Sequence, residues 1–265
     1  MMRRDIRLLL VISLANVFSA QAQTAPPPQR GPDFTTRSIT PGVEVLSYTG
    51  LPFSGIDTVV RTVPLAGGGS IAGGGSVDGG GFIVTSEVSK VARDNQGRVY
   101  RERHHFAPAG VDPRKTLYEF YILDPIAHTN TACTIQIHSC TITSYNPQLS
   151  FRLMPVGPFD NGKQLLTRDS LGQQTLDGLP VTGTRETTTI SPGTIGNDRA
   201  ITLTRDFWFS NDLMTNLAVT RIDPREGTTD IHLTVQSRAE PDPSTFAIPT
   251  NYTVLDARHA TRHAD

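Results

Sequence analysis

Recognisable catalytic signatures are missing from this sequence of 265 residues. It contains no G-x-S-x-G, and Ser54 lacks the spacing that this motif requires. Its seven histidines form neither H-x-H nor H-E-x-x-H, and no two carboxylates stand out as the pair of a glycosidase. The sequence therefore predicts a non-enzymatic protein without catalytic, cofactor-binding or metal-ligating residues. A hydrolase is the least favoured alternative.

Lysine and long apolar runs are also scarce. Only three lysines are present, at positions 90, 115 and 163, and the formal net charge is −1. Nucleic-acid binding needs a basic surface, so the charge balance argues against it as a function. After the N-terminal leader, no run approaches the ~20 apolar residues that span a bilayer. The sequence therefore predicts no transmembrane segment.

The first 22 residues have the pattern of a secretory signal peptide. Arginines precede an apolar run over residues 8–18, and an A-x-A site ends at Ala22. At roughly 11 residues the run is too short for a membrane anchor, so cleavage after Ala22 is favoured over an uncleaved anchor. We expect the mature protein to be periplasmic or extracellular, with a disordered proline-rich lead-in over residues 23–40.

The two cysteines lie close together in a β-rich stretch. If Gln136 and Ile137 form a two-residue turn, Cys133 lies directly opposite Cys140, at the short separation that a disulfide needs. The alternatives are two free thiols or half of a metal site. C-x6-C is a poor zinc spacing, and an oxidising compartment favours the bridge. The sequence predicts a Cys133–Cys140 disulfide.

Most of the chain alternates apolar and polar residues with the period of a β-strand. Counting such runs predicts a mainly β protein of about ten strands, with one domain over residues 41–256 and a frayed tail over 257–265. The first strands are expected at 43–48 and 56–63. Residues 67–81 are rich in glycine but lack the lysine of a phosphate-binding loop, which indicates a flexible hairpin loop of open role.

Two further segments shape the expected fold. Residues 146–171 are interrupted by prolines and are expected to form a long loop or a covering helix, with a helical turn at 165–171. Residues 200–238 read as an antiparallel meander of three strands. The apolar positions of this meander form the predicted inner face of the sheet, namely Ile201, Leu203, Phe207, Phe209, Ile231, Leu233 and Val235.

The C-terminal part resembles the LolA/LolB-like group of periplasmic carriers. The resemblance is carried by Asp206-Phe-Trp-Phe209, the turn at residues 223–227, the strand at 230–235 and a Phe-x-x-Pro segment that begins at Phe246. The chain also resembles secreted bacterial proteins of unknown function. The carrier resemblance implies a strongly curved antiparallel meander sheet, or incomplete barrel, whose concave apolar face binds a lipid or acyl chain.

These patterns predict an exported, non-enzymatic β protein that binds an apolar or amphiphilic ligand or an envelope component, with no cofactor. A lipid or a lipoprotein is the expected partner. The alternative is a structural or protein-interaction module of the cell envelope that exposes an edge strand to another envelope protein.

Overall fold

The computed structural model describes residues 43–65, 81–147 and 155–258. The predicted leader, the lead-in, the glycine-rich loop up to residue 80 and the tail from residue 259 lie outside the described residues. No helix within the described ranges is long and apolar enough to cross a membrane.

Strands dominate the described residues, with two short 3-10 turns at Pro113–Thr116 and Pro243–Phe246. The strands are β1 (Phe53–Pro64), β2 (Phe82–Arg93), β3 (Val99–His104), β4 (Ala107–Pro108), β5 (Leu117–Asp124), β6 (Thr129–Thr134), β7 (Ser139–Ser144), β8 (Gly157–Phe159), β9 (Gln164–Leu176), β10 (Leu179–Ile190), β11 (Ile201–Ser210), β12 (Thr215–Asp223), β13 (Gly227–Ser237) and β14 (Thr253–Asp256).

All fourteen strands belong to one sheet, in the order β14-β7-β6-β5-β3-β2-β1-β13-β12-β11-β10-β9-β8, with β4 paired to β2. Two meanders, β1–β7 and β8–β13, meet where β1 pairs with β13. Neighbours are antiparallel except for β14, which runs parallel to β7. The predicted mainly β meander is confirmed. Fourteen strands exceed the predicted number because β4, β8 and β14 are too short to show alternation in the sequence, and because β9 covers a segment that was expected to form a loop or helix.

The sheet carries a core on each face. The main core lies on the face that carries Val59, Phe207, Val219 and Ile231, called here the inner face. The second core lies on the opposite, outer face of β3–β7, where Phe246 of the second 3-10 turn packs over it. Different parts of the same sheet are therefore covered on opposite sides.

The outer core contains the predicted disulfide. Cys133 and Cys140 are directly paired on β6 and β7, are bonded to each other and are fully buried. Phe120 on β5 lies opposite Cys133, and Tyr252 meets the Phe120 ring edge-on at 6.0 Å between centroids. The disulfide thus joins a hairpin under the C-terminal segment.

Two expectations about secondary structure are wrong. Residues 43–48 are extended, but they pair with no strand in the described part of the chain, because their backbone groups bond to side chains of the sheet. Residues 165–171 belong to β9, which pairs with β10 from Gln164 to Leu176 with one bulge at Leu171. Backbone pairing along a long hairpin outweighs the weak local preference of this segment.

Candidate functional site

Residues 43–48, called here the strap, cover part of the inner face. Val43, Val45 and Leu46 are buried in or beside the main core. The Val43 N–H donates to Asp57 Oδ2 at 3.0 Å, and the Thr215 hydroxyl donates to the Glu44 carbonyl at 3.2 Å. Side chains of the sheet thus replace the strand ladder that the strap lacks.

Arg93 is the largest fully buried side chain of the described residues. Its guanidinium donates to three backbone carbonyls, those of Leu51 at 2.9 Å, Leu46 at 2.9 Å and Leu213 at 2.6 Å. Burial lowers the pKa of Arg93 to about 10, so the group remains charged at neutral pH. One side chain therefore ties the strap and the loop before β12 to β2.

Asp57 is the acidic counterpart under the strap, and its exposed fraction is 1%. Its Oδ2 accepts from Val43 and from Arg101, the latter at 2.6 Å, and Arg101 also donates to the Val43 carbonyl. Burial raises the pKa of Asp57 to about 6, although the charge of Arg101 and the Val43 N–H act to lower it; Glu87 adds to the rise.

The raised pKa of Asp57 predicts a specific pH dependence of stability. Because the folded-state pKa of about 6 exceeds the ordinary value of 3.8, its contribution is fully present below pH 3.8 and is lost as the pH rises through 6. As the pH rises from 4 to 7.5, the free energy of unfolding of the wild type should fall by about 2–3 kcal/mol relative to that of Asp57→Asn, whose side chain cannot ionise.

Urea unfolding of both proteins at several pH values measures this difference. Groups common to both proteins, including Glu44, Glu87 and Arg101 around position 57, largely cancel in the comparison. Parallel pH profiles for the wild type and the variant would contradict the shift.

Beyond the strap, the inner face carries a row of arginines. Strand register places Arg205 directly opposite Arg221, and Thr229 directly opposite both Arg221 and Arg61. On the other side, Glu186 lies between Arg205 and Arg168. This row is called here the arginine band. It lies one inner-face position along the strands from the buried core row, which consists of Phe207, Val219, Ile231 and Val59.

The band has few acidic partners. Glu186 is buried and pairs with both Arg168 and Arg205, at 3.0 Å from the latter. Arg221 reaches Glu226 at 3.0 Å and Asp223 at 3.4 Å. Arg225 donates to the same Asp223 twice from its guanidinium and once from its backbone N–H, and these hydrogen bonds lower the pKa of that carboxyl.

Apolar side chains follow the band on the same face. Leu203 on β11 and Val63 on β1 are half-buried, and Ile83 of β2, opposite Val63, keeps an exposed fraction of 39%. The register places Gly227 and the buried Asp223 between Leu203 and Val63 in this row. The inner face thus changes along the strands from buried apolar, to cationic, to a row with accessible aliphatic side chains on either side of Asp223.

The predicted inner-face residues divide between these zones. Phe207, Ile231 and Leu233 are buried in the main core, and Val235 packs against it. Ile201, Leu203 and Phe209 are half-buried. Arg205 lies on the same face as these residues. Its position between Leu203 and Phe207 in an alternating strand is the feature of the sequence that could have predicted the arginine band. The prediction missed Asp57 and Arg93, whose partners lie far away in the sequence.

Metal ligation was not predicted, and within the described ranges no three His, Cys, Asp or Glu side chains form a group that could hold a metal ion. Among the described histidines, His104 is buried, with its Nε2 3.3 Å from Glu102 Oε2 and its Nδ1 3.0 Å from the Pro113 carbonyl. These contacts join β3 to the first 3-10 turn.

No protein-family model matches the chain, and no curated protein matches it. Among solved structures it is similar to a conserved protein from Thermus thermophilus, with 10% identity, a TM-score of 0.36, and coverage of 75% of this chain and 90% of that one. It is similar to the lipoprotein LppX of Mycobacterium tuberculosis, with 12% identity, a TM-score of 0.26, and coverage of 73% and 91%.

A third neighbour is a domain from Vibrio parahaemolyticus described as an outer membrane lipoprotein-sorting protein. Its identity is 8% and its TM-score 0.24, with coverage of 73% of this chain and 89% of that one. The structural neighbours therefore include a domain with the LolA/LolB-like fold that the sequence resembles.

Proposed function

We propose that this chain is an exported, non-enzymatic protein that binds an apolar or amphiphilic ligand on the inner face of its sheet. The proposal rests on one observation: part of the apolar surface of that face lies outside the main core and remains accessible. Beyond the buried row of Val59 and Phe207, Leu203 and Val63 stay half-buried and Ile83 stays exposed. Apolar surface that a sheet leaves accessible beside its core is a common feature of binding sites.

Two further features support the proposal. The buried disulfide is favoured by an oxidising compartment, as expected of an exported protein. The buried charges at Arg93, Asp57 and Glu186 bond to backbone groups or to arginine side chains, which supports a structural rather than a catalytic use of them.

A neutral fluorescent naphthylamine dye tests the proposal. The wild type is expected to bind the dye, and Leu203→Asp should weaken binding at least tenfold, because a carboxylate then occupies the half-buried apolar surface. Thr202→Asp is the matched control, since the neighbouring side chain is exposed on the other face, and its affinity should equal that of the wild type.

Unfolding curves of both variants verify that each is folded at the assay temperature. Absence of dye binding by the wild type, or equal binding by Leu203→Asp, would contradict a ligand site on this face.

A second candidate function rests on β14 at one edge of the sheet. All four of its residues are exposed, including Val254 and Leu255, with exposed fractions of 46% and 61%. An edge strand with exposed apolar side chains can pair with a strand of another protein. Loss of an envelope partner on Val254→Lys with Leu255→Lys, with dye binding unchanged, would favour this interaction module over ligand binding.

A further inference from the structure

We infer that the ligand of the inner face carries an anionic head group, which Arg61, Arg221 and the Thr229 hydroxyl bind while Leu203, Val63 and Ile83 contact its apolar chain. This inference rests on the proposed function and adds the chemical class of the ligand.

The register brings these groups together. Thr229 on β13 lies between Arg221 on β12 and Arg61 on β1, and all three belong to the inner face. Neighbouring strands are about 4.7–4.9 Å apart, so the two arginine backbones are about 10 Å apart with the hydroxyl between them. Two guanidinium groups on long side chains can converge on one oxyanion across that distance, and the threonine can donate a third hydrogen bond.

The charge of the band favours an anion. The row from β9 to β1 contains four arginines, namely Arg168, Arg205, Arg221 and Arg61, and a single carboxylate, Glu186. Three acids flank the row. Asp223 and Glu226 bond to Arg221, whereas Glu87 accepts from the Ser89 hydroxyl and the His104 N–H.

The direct opposition of Arg205 and Arg221 is unfavourable in the protein alone. Like charges that face each other on antiparallel strands destabilise a sheet. Arg205 turns back to Glu186, and Arg221 turns the other way to Glu226. An anion beside Arg221 would remove part of this repulsion, and a guanidinium fork suits carboxylate and phosphate oxygens.

The two arginines of the proposed head-group site are accessible to a ligand. The Arg221 side chain is 43% exposed, and Arg61 is exposed with its guanidinium carbon 5.4 Å from the centre of the Phe106 ring. One inner-face position further along the strands, Val63 pairs with Ile83, and Leu203 lies on the other side of Asp223 and Gly227. A charged head beside an apolar chain fits this succession of arginines and aliphatic side chains.

The inference is tested by adding competitors that displace the naphthylamine dye. The competitors are dodecyl phosphate, dodecyl maltoside and dodecyltrimethylammonium, each below its micelle-forming concentration, and inorganic phosphate. Dodecyl phosphate is expected to displace the dye at a concentration at least tenfold lower than dodecyltrimethylammonium. Arg61→Gln and Arg221→Gln should each reduce this preference threefold to tenfold without changing displacement by dodecyl maltoside. Added salt should reduce it as well.

Arg114→Gln is the control, because Arg114 is an exposed arginine that pairs locally with Asp112, and it should keep the full preference. Equal displacement by all three amphiphiles, or an unchanged preference in both glutamine variants, would overturn the anionic head group and leave the proposed function standing. Inorganic phosphate that competes as well as dodecyl phosphate would overturn the amphiphile assignment in favour of a free anion. Failure of every amphiphile to displace bound dye would overturn the proposed function as well.

Discussion

Replacing Arg93 with methionine is expected to lower the free energy of unfolding by about 4 kcal/mol. The change removes three charge-assisted hydrogen bonds and leaves the carbonyls of Leu46, Leu51 and Leu213 without these donors in a buried region. Methionine fills a similar volume, so lost packing is a minor part of the effect. It also cannot replace the stacking of the guanidinium over Phe53, at 5.1 Å from the ring centre.

Guanidinium chloride unfolding, followed through the fluorescence of the chain's single tryptophan, Trp208, measures this loss. Arg114→Met is the matched control, because its arginine is 76% exposed and its ion pair with Asp112 is local. The control should change stability by less than about 0.5 kcal/mol. A loss below about 1 kcal/mol for Arg93→Met would show that the three bonds contribute little net stability.

The parts of the fold that depend on local contacts are predictable from the sequence. The cysteine hairpin follows from two residues placed symmetrically about a short turn, and the structure pairs Cys133 with Cys140. The meander over residues 200–238 follows from strict alternation between turn residues, and it appears as β11, β12 and β13. In both cases each strand pairs with the strand that comes next in the chain, so the sequence order already contains the pairing.

The strap shows why other parts are not predictable. Its apolar and polar residues alternate as in a strand, yet its partners are Asp57, Arg93 and Thr215, of which Thr215 lies 171 residues from Glu44. Nothing local separates a strand that pairs from an extended segment that lies on a sheet face. Segment 165–171 is the opposite case. It was not predicted as a strand, yet its pairing with β10 makes it part of β9.

The candidate site was partly visible in the sequence. Arg205 and Arg221 each lie in the apolar phase of a strand, where a charged side chain is unusual. Their direct opposition depends on the register of β11 with β12, which shifts between Trp208 and Phe209. A one-residue shift reverses the face of every side chain beyond it, so alternation alone could not place the two arginines together.

Replacing Gly227 with alanine is expected to cost about 3–4 kcal/mol, because two independent penalties act at this position. Gly227 has a φ of +94°, which L side chains rarely adopt. An added Cβ would also lie 2.0 Å from the Thr62 carbonyl oxygen and 2.9 Å from Pro64 Cδ, both on β1. The glycine begins β13, so relief of this overlap must separate β13 from β1 where the two meanders join.

Gly193→Ala separates the two penalties. Gly193 has a φ of +77°, but an added Cβ would meet nothing within 4 Å, so this variant reports the conformational cost alone, about 1–2 kcal/mol. The difference between the variants in denaturant unfolding is the cost of separating the strands. Hydrogen exchange of the β1 and β13 amides should accelerate in Gly227→Ala and not in Gly193→Ala. Equal losses in both variants would contradict tight contact between the two meanders at this junction, and with it the register that places Arg61 beside Thr229.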